Sequence, residues 1–265
     1  MTNLSDYFDT GNFYDTSDAT VVAGDLPVDI IAYGAAGRLV GVVPFSAVQL
    51  LLHMNGADTS TTFTDDSDSA HTVSTFNDVQ LQTADKKFGS ASCIFDGTTD
   101  YFTVPYVSNF DWFAGDYTIE GWVKASAWTD WENPAGQPNL VGRMDINSAS
   151  NYWSFGPIAN GKLTMYYFSG TSKYVYSTGT VPTGQWVHVA MTHVSATGAI
   201  KLFIDGVLDG SDTVSGTPQS ATYPLVFGRG NGVDLTGALD DVRITYGYAR
   251  YTATFTPPVI EFPDS

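Results

Sequence analysis

The chain has 265 residues, enough for one large β-domain with an appended segment or for two domains, and in either case for a sizeable core. Hydrophobic residues make up 43% and aromatics 14% against 15% charged, a balance that excludes an intrinsically disordered chain. With 28 acids against 11 bases the formal net charge is -17, and that field repels phosphate backbones and anionic membranes, so nucleic acid is excluded as a partner.

Twenty-five of the acids are Asp and only Glu120, Glu132 and Glu261 are Glu. Asp competes locally with helical hydrogen bonding, so turns and caps are expected rather than long helices. Cys93 is the single cysteine, which rules out an intrachain disulfide, and in "ASCIFDG" it reads as a small apolar strand residue. The first twenty residues lack the basic and apolar regions of a secretory signal, and no apolar run reaches 18 residues. The expectation is a soluble product, made in a cytoplasm and not inserted in a membrane.

In chain order, residues 1 to about 25 are polar, rich in Asp and Thr and without period, as in a surface arm ordered by a partner. The apolar stretch that follows is broken by Gly34, Gly37 and Gly41, which predicts two short strands, Asp29 to Tyr33 and Arg38 to Val43, rather than a helix. Beyond Pro44 a period of two sets in. It places Val48, Leu50, Leu52 and Met54 on one face, then Tyr117, Ile119, Gly121 and Val123, with Thr118, Glu120, Trp122 and Lys124 opposite. Leu163, Met165 and Tyr167 continue the pattern, as do Val187, Val189 and Met191, then Ile200, Leu202 and Ile204, and finally Val242, Ile244 and Tyr246. Asp205-Gly206 supplies the positive φ angles of a two-residue hairpin, and Asn160-Gly161 predicts a second such turn. Strands at this spacing, separated by Gly, Pro, Asn and Asp clusters, predict an all-β, antiparallel two-sheet sandwich or jelly roll.

The segments "FDGTTDYFTVP" (95–105), "DYTIEGWVK" (116–124), "GQWVHVAMTH" (184–193), "LFIDGV" (202–207) and "LTGALDDVRIT" (235–245) occur in the order seen in laminin G-like, concanavalin A-like domains. The resemblance spans roughly 48–258, leaving residues 1–47 as an attachment segment and 259–265 as a tail. The stretch "LLHMNGADTSTTFTDDSDSAHTV" followed by "KFGSASCIFDGTTDYFTVP" resembles the version of the module found in virion proteins of tailed bacteriophages, in tail fibres and capsid decoration. By analogy alone, the resemblance implies a virion surface protein, assembled in the host cytoplasm and docked to other virion proteins through residues 1–47. It would form a homo-oligomer, a trimer among the options, and display the sandwich for glycan or host-surface binding. A purely structural cementing protein is the alternative, and a secreted or cell-surface carbohydrate-active enzyme a further one.

Glycoside hydrolysis needs two carboxylates flanking the scissile bond. The paired-glutamate pattern of the family's enzymes, E-x-D-x-x-E, is absent; Glu120 stands alone in "TIEGW", and Glu132 lies in a loop beside Asp130. His53, His71, His188 and His193 show no zinc spacing, the last two fall on opposite faces of one strand, and no G-x-S-x-G elbow occurs. No catalytic residue is therefore expected. Gly228 to Gly232 lacks the continuation of a phosphate loop and reads as a bulged turn.

Stacking of rings on pyranose faces points to the Pro/Gly loop at 126–139, with Trp128, Asp130, Trp131 and Asn133, and then to Tyr152 and Trp153, of which one ring falls to the core. Loop tryptophans also plug sandwich ends. The resemblance further implies a Ca2+ at one edge of the sandwich, for which Asp58 and Asp241 match best and Asp65, Asp66 and Asp240 less well. Acidic turns also serve simply to cap backbone groups.

Overall fold

The computed structural model describes residues 43–128, 140–145, 150–219, 221–230 and 233–264. The chain divides into two units, Met1–Pro44 and Phe45–Ser265. The strands expected at 29–33 and 38–43 lie outside the described residues except for Val43, which is not in a strand.

In the second unit the strands run β1 (Val48–Leu52), β2 (Ser74–Phe76), β3 (Gln80–Gln82), β4 (Ser92–Asp96), β5 (Tyr101–Val104), β6 (Tyr117–Lys124), β7 (Val141–Asp145), β8 (Ser150–Pro157) and β9 (Leu163–Phe168). They continue as β10 (Ser172–Tyr176), β11 (Val187–Val194), β12 (Ala199–Ile204), β13 (Val207–Thr213), β14 (Leu225–Phe227), β15 (Arg229–Gly230), β16 (Val233–Asp234) and β17 (Thr236–Tyr246). One sheet has eight strands in the order β13-β12-β11-β6-β17-β4-β3, with β1 also on β17; the other has seven, β10-β9-β8-β7-β14-β5-β2. All pairings are antiparallel, so the chain is a two-sheet sandwich as its alternation predicts. Among the described residues no helix is long and apolar enough to cross a membrane.

The core is built from the predicted alternation. Tyr117, Ile119 and Val123 meet Leu163, Met165, Tyr167, Val187, Val189, Met191, Ile200, Leu202, Val242 and Ile244 in one cluster, each fully buried aliphatic side chain contributing roughly 1.5–3 kcal/mol. Two bulges correct the pattern. The register of β1 shifts between Val48 and Leu50. As a result Val48 packs with Leu51 and Phe262 in a separate cluster instead of joining Leu50, Leu52 and Met54. On β17 the shift between Asp240 and Arg243 turns both Leu239 and Val242 inward, and Asp241 takes a positive φ of 46° that only a held backbone keeps in a non-glycine residue.

Asp205 (φ 47°) and Gly206 (φ 75°) close the β12–β13 hairpin between Ile204 and Val207, as expected of a type I′ turn. The Asn160-Gly161 turn differs. Ile158 N donates to Lys162 O and Gly161 N to Ile158 O, and only Gly161 is left-handed (φ 78°). It is a longer loop with one glycine in the left-handed position, because β8 and β9 stop pairing at Pro157–Leu163. Gly228 (φ 83°), where a side chain would strike the Phe95 ring, leads into the small β15–β16 hairpin.

The stretch after β17 does not trail away. Thr118 Oγ1 donates to Tyr248 O, Thr192 Oγ1 to Tyr251 O and Phe255 N to Gly206 O. Phe262 is 1% exposed, with its N–H on Asp241. Within the segment expected as a tail from 259, the Phe262 ring has an apolar seat against Val48 and Leu51, while Val259 and Ile260 stand exposed.

Candidate functional site

The middle of the outer face of the eight-stranded sheet, across β11, β6 and β17, is sealed. Register places His188, Trp122 and Asp240 in one cross-strand row, Ala190, Glu120 and Arg243 in the next, and Thr192, Thr118 and Thr245 in the third. All nine are buried under the C-terminal stretch and its neighbours. Glu120 accepts from Arg243 Nε (3.0 Å) and Nη2 (2.9 Å) through one oxygen and from the Tyr251 hydroxyl (2.7 Å) through the other. His188 Nε2 lies 3.3 Å away. Burial works against the charge on Glu120, but Arg243, His188 and Arg250 hold its carboxyl well below the usual carboxylate range. A carboxylate so paired has no proton to give at neutral pH.

At one side of this face His53 donates to or shares protons with Asp241 (2.7 Å) and Asp264 (2.6 Å). Burial alone would depress its pKa, yet the hydrogen bonds to Asp241 and Asp264 push it up to about 9. Asp240 accepts from Lys87 N (2.6 Å) and Phe88 N (3.1 Å), but burial outweighs these donors and raises its pKa to about 7.

The residues expected to bind sugar do not gather at one place. Trp128 is half-buried, packs against the core and spends its Nε1–H on Val181 O (2.7 Å). It sits by Gly161, at the end where β8 gives way to β9. Tyr152 is half-buried near the start of β8, 5.6 Å from the Tyr223 ring. Trp153 is fully buried in the core, so it is the ring of the pair that offers no face to a ligand. Asp130, Trp131 and Asn133, like Glu132, lie outside the described residues.

The carboxylates implied for Ca2+ are also apart in role. Asp58 is exposed and accepts from Thr83 N (2.9 Å) and Oγ1 (3.2 Å), while buried Asp241 is taken up by His53 and Phe262 N. Asp65 staples a loop by accepting from Leu51 N, Ser67 N, His71 N and the His71 ring. Among the described residues no group of three or more His, Cys, Asp or Glu side chains is arranged to hold a metal ion. His188 and His193 do face opposite ways, His188 toward Glu120 and His193 toward Trp112 in the core.

One aromatic row escaped the sequence reading. Tyr166 on β9 and Tyr174 and Tyr176 on β10 share the outer face of the seven-stranded sheet, since Tyr174 pairs with Tyr166 and Tyr176 with Thr164. The rings of Tyr174 and Tyr176 are parallel within 4° at 5.7 Å, and Tyr166 stands 5.2 Å from Tyr174. Tyr166 is buried, while Tyr176 is 45% exposed. The signal was there in "KYVY", where tyrosines occupy the face that alternation leaves to solvent. Inside the sandwich, a cavity of about 20 Å³ lined by Ile119, Val189, Phe227 and Val242 is apolar and no larger than one water.

Two antiparallel sheets packed over one core, with Tyr176 exposed on edge strand β10, make up a β-sandwich. Residues 96–252 match the family model of the concanavalin A-like lectin/glucanases superfamily, and the chain belongs to that superfamily. No curated protein sequence matches it significantly.

Among solved structures, domain 4 of an extracellular arabinanase from Geobacillus stearothermophilus, solved with arabinotriose, is similar at 19% identity and a TM-score of 0.56. The match covers 76% of this chain and 92% of that one. The binding domain of botulinum neurotoxin serotype D is similar at 18% identity and a TM-score of 0.54, over 76% of this chain and 49% of that one. A botulinum neurotoxin DC binding domain in complex with SialylT gives 14%, 0.53, 83% and 49% in the same terms. The chain spans about half the length of the toxin binding domains that it matches, and these likenesses establish the fold.

Proposed function

We propose that this chain is a non-enzymatic glycan-binding module of a phage virion surface, a capsid decoration or tail component whose residues 1–47 attach it to other virion proteins. The carrying observation is the contrast in outer faces: the sheet glutamate that an enzyme would need is ion-paired under the C-terminal stretch, while tyrosines stand at the surface of the other sheet. Membership of a superfamily of lectins and glucanases supports the ligand class, and so does the arabinotriose in the similar arabinanase domain. The virion placement rests on the sequence resemblance. Each copy binds weakly, near the millimolar range of about 4 kcal/mol, and display of many copies multiplies this by effective concentration.

The test is an array of oligosaccharides probed with the full chain coupled to beads. Binding is expected, with release of no reducing ends from polysaccharide. Silence of the array under multivalent display at millimolar sugar would sink the glycan reading, and hydrolysis abolished by Glu120→Gln would sink the non-enzymatic one.

A cementing role is the second reading, favoured by the exposed aliphatic side chains Val207, Leu208, Val259 and Ile260, which suit a fixed subunit contact. It predicts that particles lacking the chain lose heat resistance while adsorption to the host is unchanged.

A further inference from the structure

We infer that Tyr174 and Tyr176, on edge strand β10, form the stacking platform for an uncharged pyranose chain, an inference that rests on the glycan-binding reading. The two rings alternate with Val175, whose side chain is buried in the core and pins the strand between them. Their parallel planes, with Tyr166 against one side, hold the rings before any ligand arrives. A preheld ring offers apolar area with little entropy left to lose on binding.

The chain leaving β10 is tied to β13. Thr178 N donates to Asp209 O (2.8 Å), and Gly179 N donates to the Asp209 carboxylate (3.1 and 3.0 Å). This holds the half-buried Asp209 carboxylate of β13 against Gly179, which follows Tyr176 by three residues in the chain. The ligand class follows from charge. The one base on β10, Lys173, pairs with Tyr167 and so lies on the alternation opposite to the two tyrosines, and the chain as a whole carries -17. A net charge of -17 makes this surface unfavourable for an anionic sugar. A protein partner would need about 800 Å² of surface per side, far more than two rings provide.

The experiment uses the full chain on beads against neutral gluco-, xylo-, arabino- and galacto-oligosaccharides and against sialylated and uronic ones. Binding to neutral sugars is expected. Tyr176→Ala should weaken it tenfold or more, the double Tyr174→Ala/Tyr176→Ala should abolish it, and Tyr176→Phe should keep it. In the unmodified chain the ring protons of Tyr174 and Tyr176 should shift in NMR spectra on adding the bound neutral sugar, which keeps the test independent of whether the double variant folds. Preference for acidic sugars overturns the ligand class. Full binding by the double variant, lost instead on Trp131→Ala or Tyr152→Ala, overturns the platform but leaves the glycan reading intact. Failure of the unmodified chain to bind any sugar removes the glycan reading, and the platform with it.

Discussion

On β6, in the middle of the eight-stranded sheet, the outward residues Thr118, Glu120 and Trp122 are as buried as the inward ones, while on β10 the outward Tyr176 stands 45% exposed. Both strands alternate with the same period. The difference lies in what comes after: the stretch from Tyr248 to Phe262 lies over β6 and its neighbours, satisfying Thr118, Thr192 and Glu120, and no comparable partner takes the β10 tyrosines among the described residues. A polar sheet face can thus become a second interior when hydrogen-bonding chain is laid over it, and an aromatic face left at an edge strand becomes available for recognition.

The strongest way to break this comparison is to unpair the sealed face. Arg243→Met takes from buried Glu120 the guanidinium that donates twice to one of its oxygens and should cost about 3–5 kcal/mol in urea unfolding. A loss below about 1 kcal/mol would mean that solvent reaches Glu120 and that the face is not sealed. Next comes Phe262→Ala, which empties the seat against Val48 and Leu51 and should cost about 3 kcal/mol, with faster amide exchange confined to the C-terminal stretch and β1.

Titration gives an intermediate effect, measured as melting temperature against pH. Asp240 has its pKa raised to about 7, so its contribution is present at acid pH below the unfolded value near 4 and is lost as pH climbs through 7. His53, raised from 6.5 to about 9, contributes fully below 6.5 and loses that contribution as pH rises through 9. Glu120, held low, contributes above its unfolded value and loses it only in strong acid. The melting temperature should therefore decline by several degrees between pH 4 and 9. Asp240→Asn should flatten the lower part of that decline and His53→Gln the upper part; an unchanged slope in both would show that neither group titrates as buried. The smallest effect belongs to the other face: Tyr176→Ala should leave unfolding free energy within about 0.5 kcal/mol, because an exposed edge ring supports little. A larger loss would make Tyr176 part of the fold and blunt the contrast.

Much of the fold was legible from residues. The inward sets on β6, β9, β11 and β12 follow from a period of two, and Asp205-Gly206 marks its hairpin, because these signals are local and each needs only its own neighbours. The errors also have local causes. Val48 went to the wrong face because a bulge shifts register without any mark in composition, and Asn160-Gly161 formed a longer turn because the flanking strands stop pairing early. Trp128 and Tyr152, drawn from two candidate segments, sit at opposite ends of β8, a separation that strand direction creates.

The sequence by itself determined the β-sandwich beyond Pro44 and the core-facing residues of β6, β9, β11 and β12, since hydrophobic period is a sum over near neighbours. Only the tertiary structure decided that Glu120 is an ion-paired interior group, that Asp241 answers to His53 and Phe262, and that Tyr174 and Tyr176 share a surface. Those outcomes depend on which distant segment covers which sheet face, and burial of a polar group is fixed by its covering partner rather than by the strand that carries it.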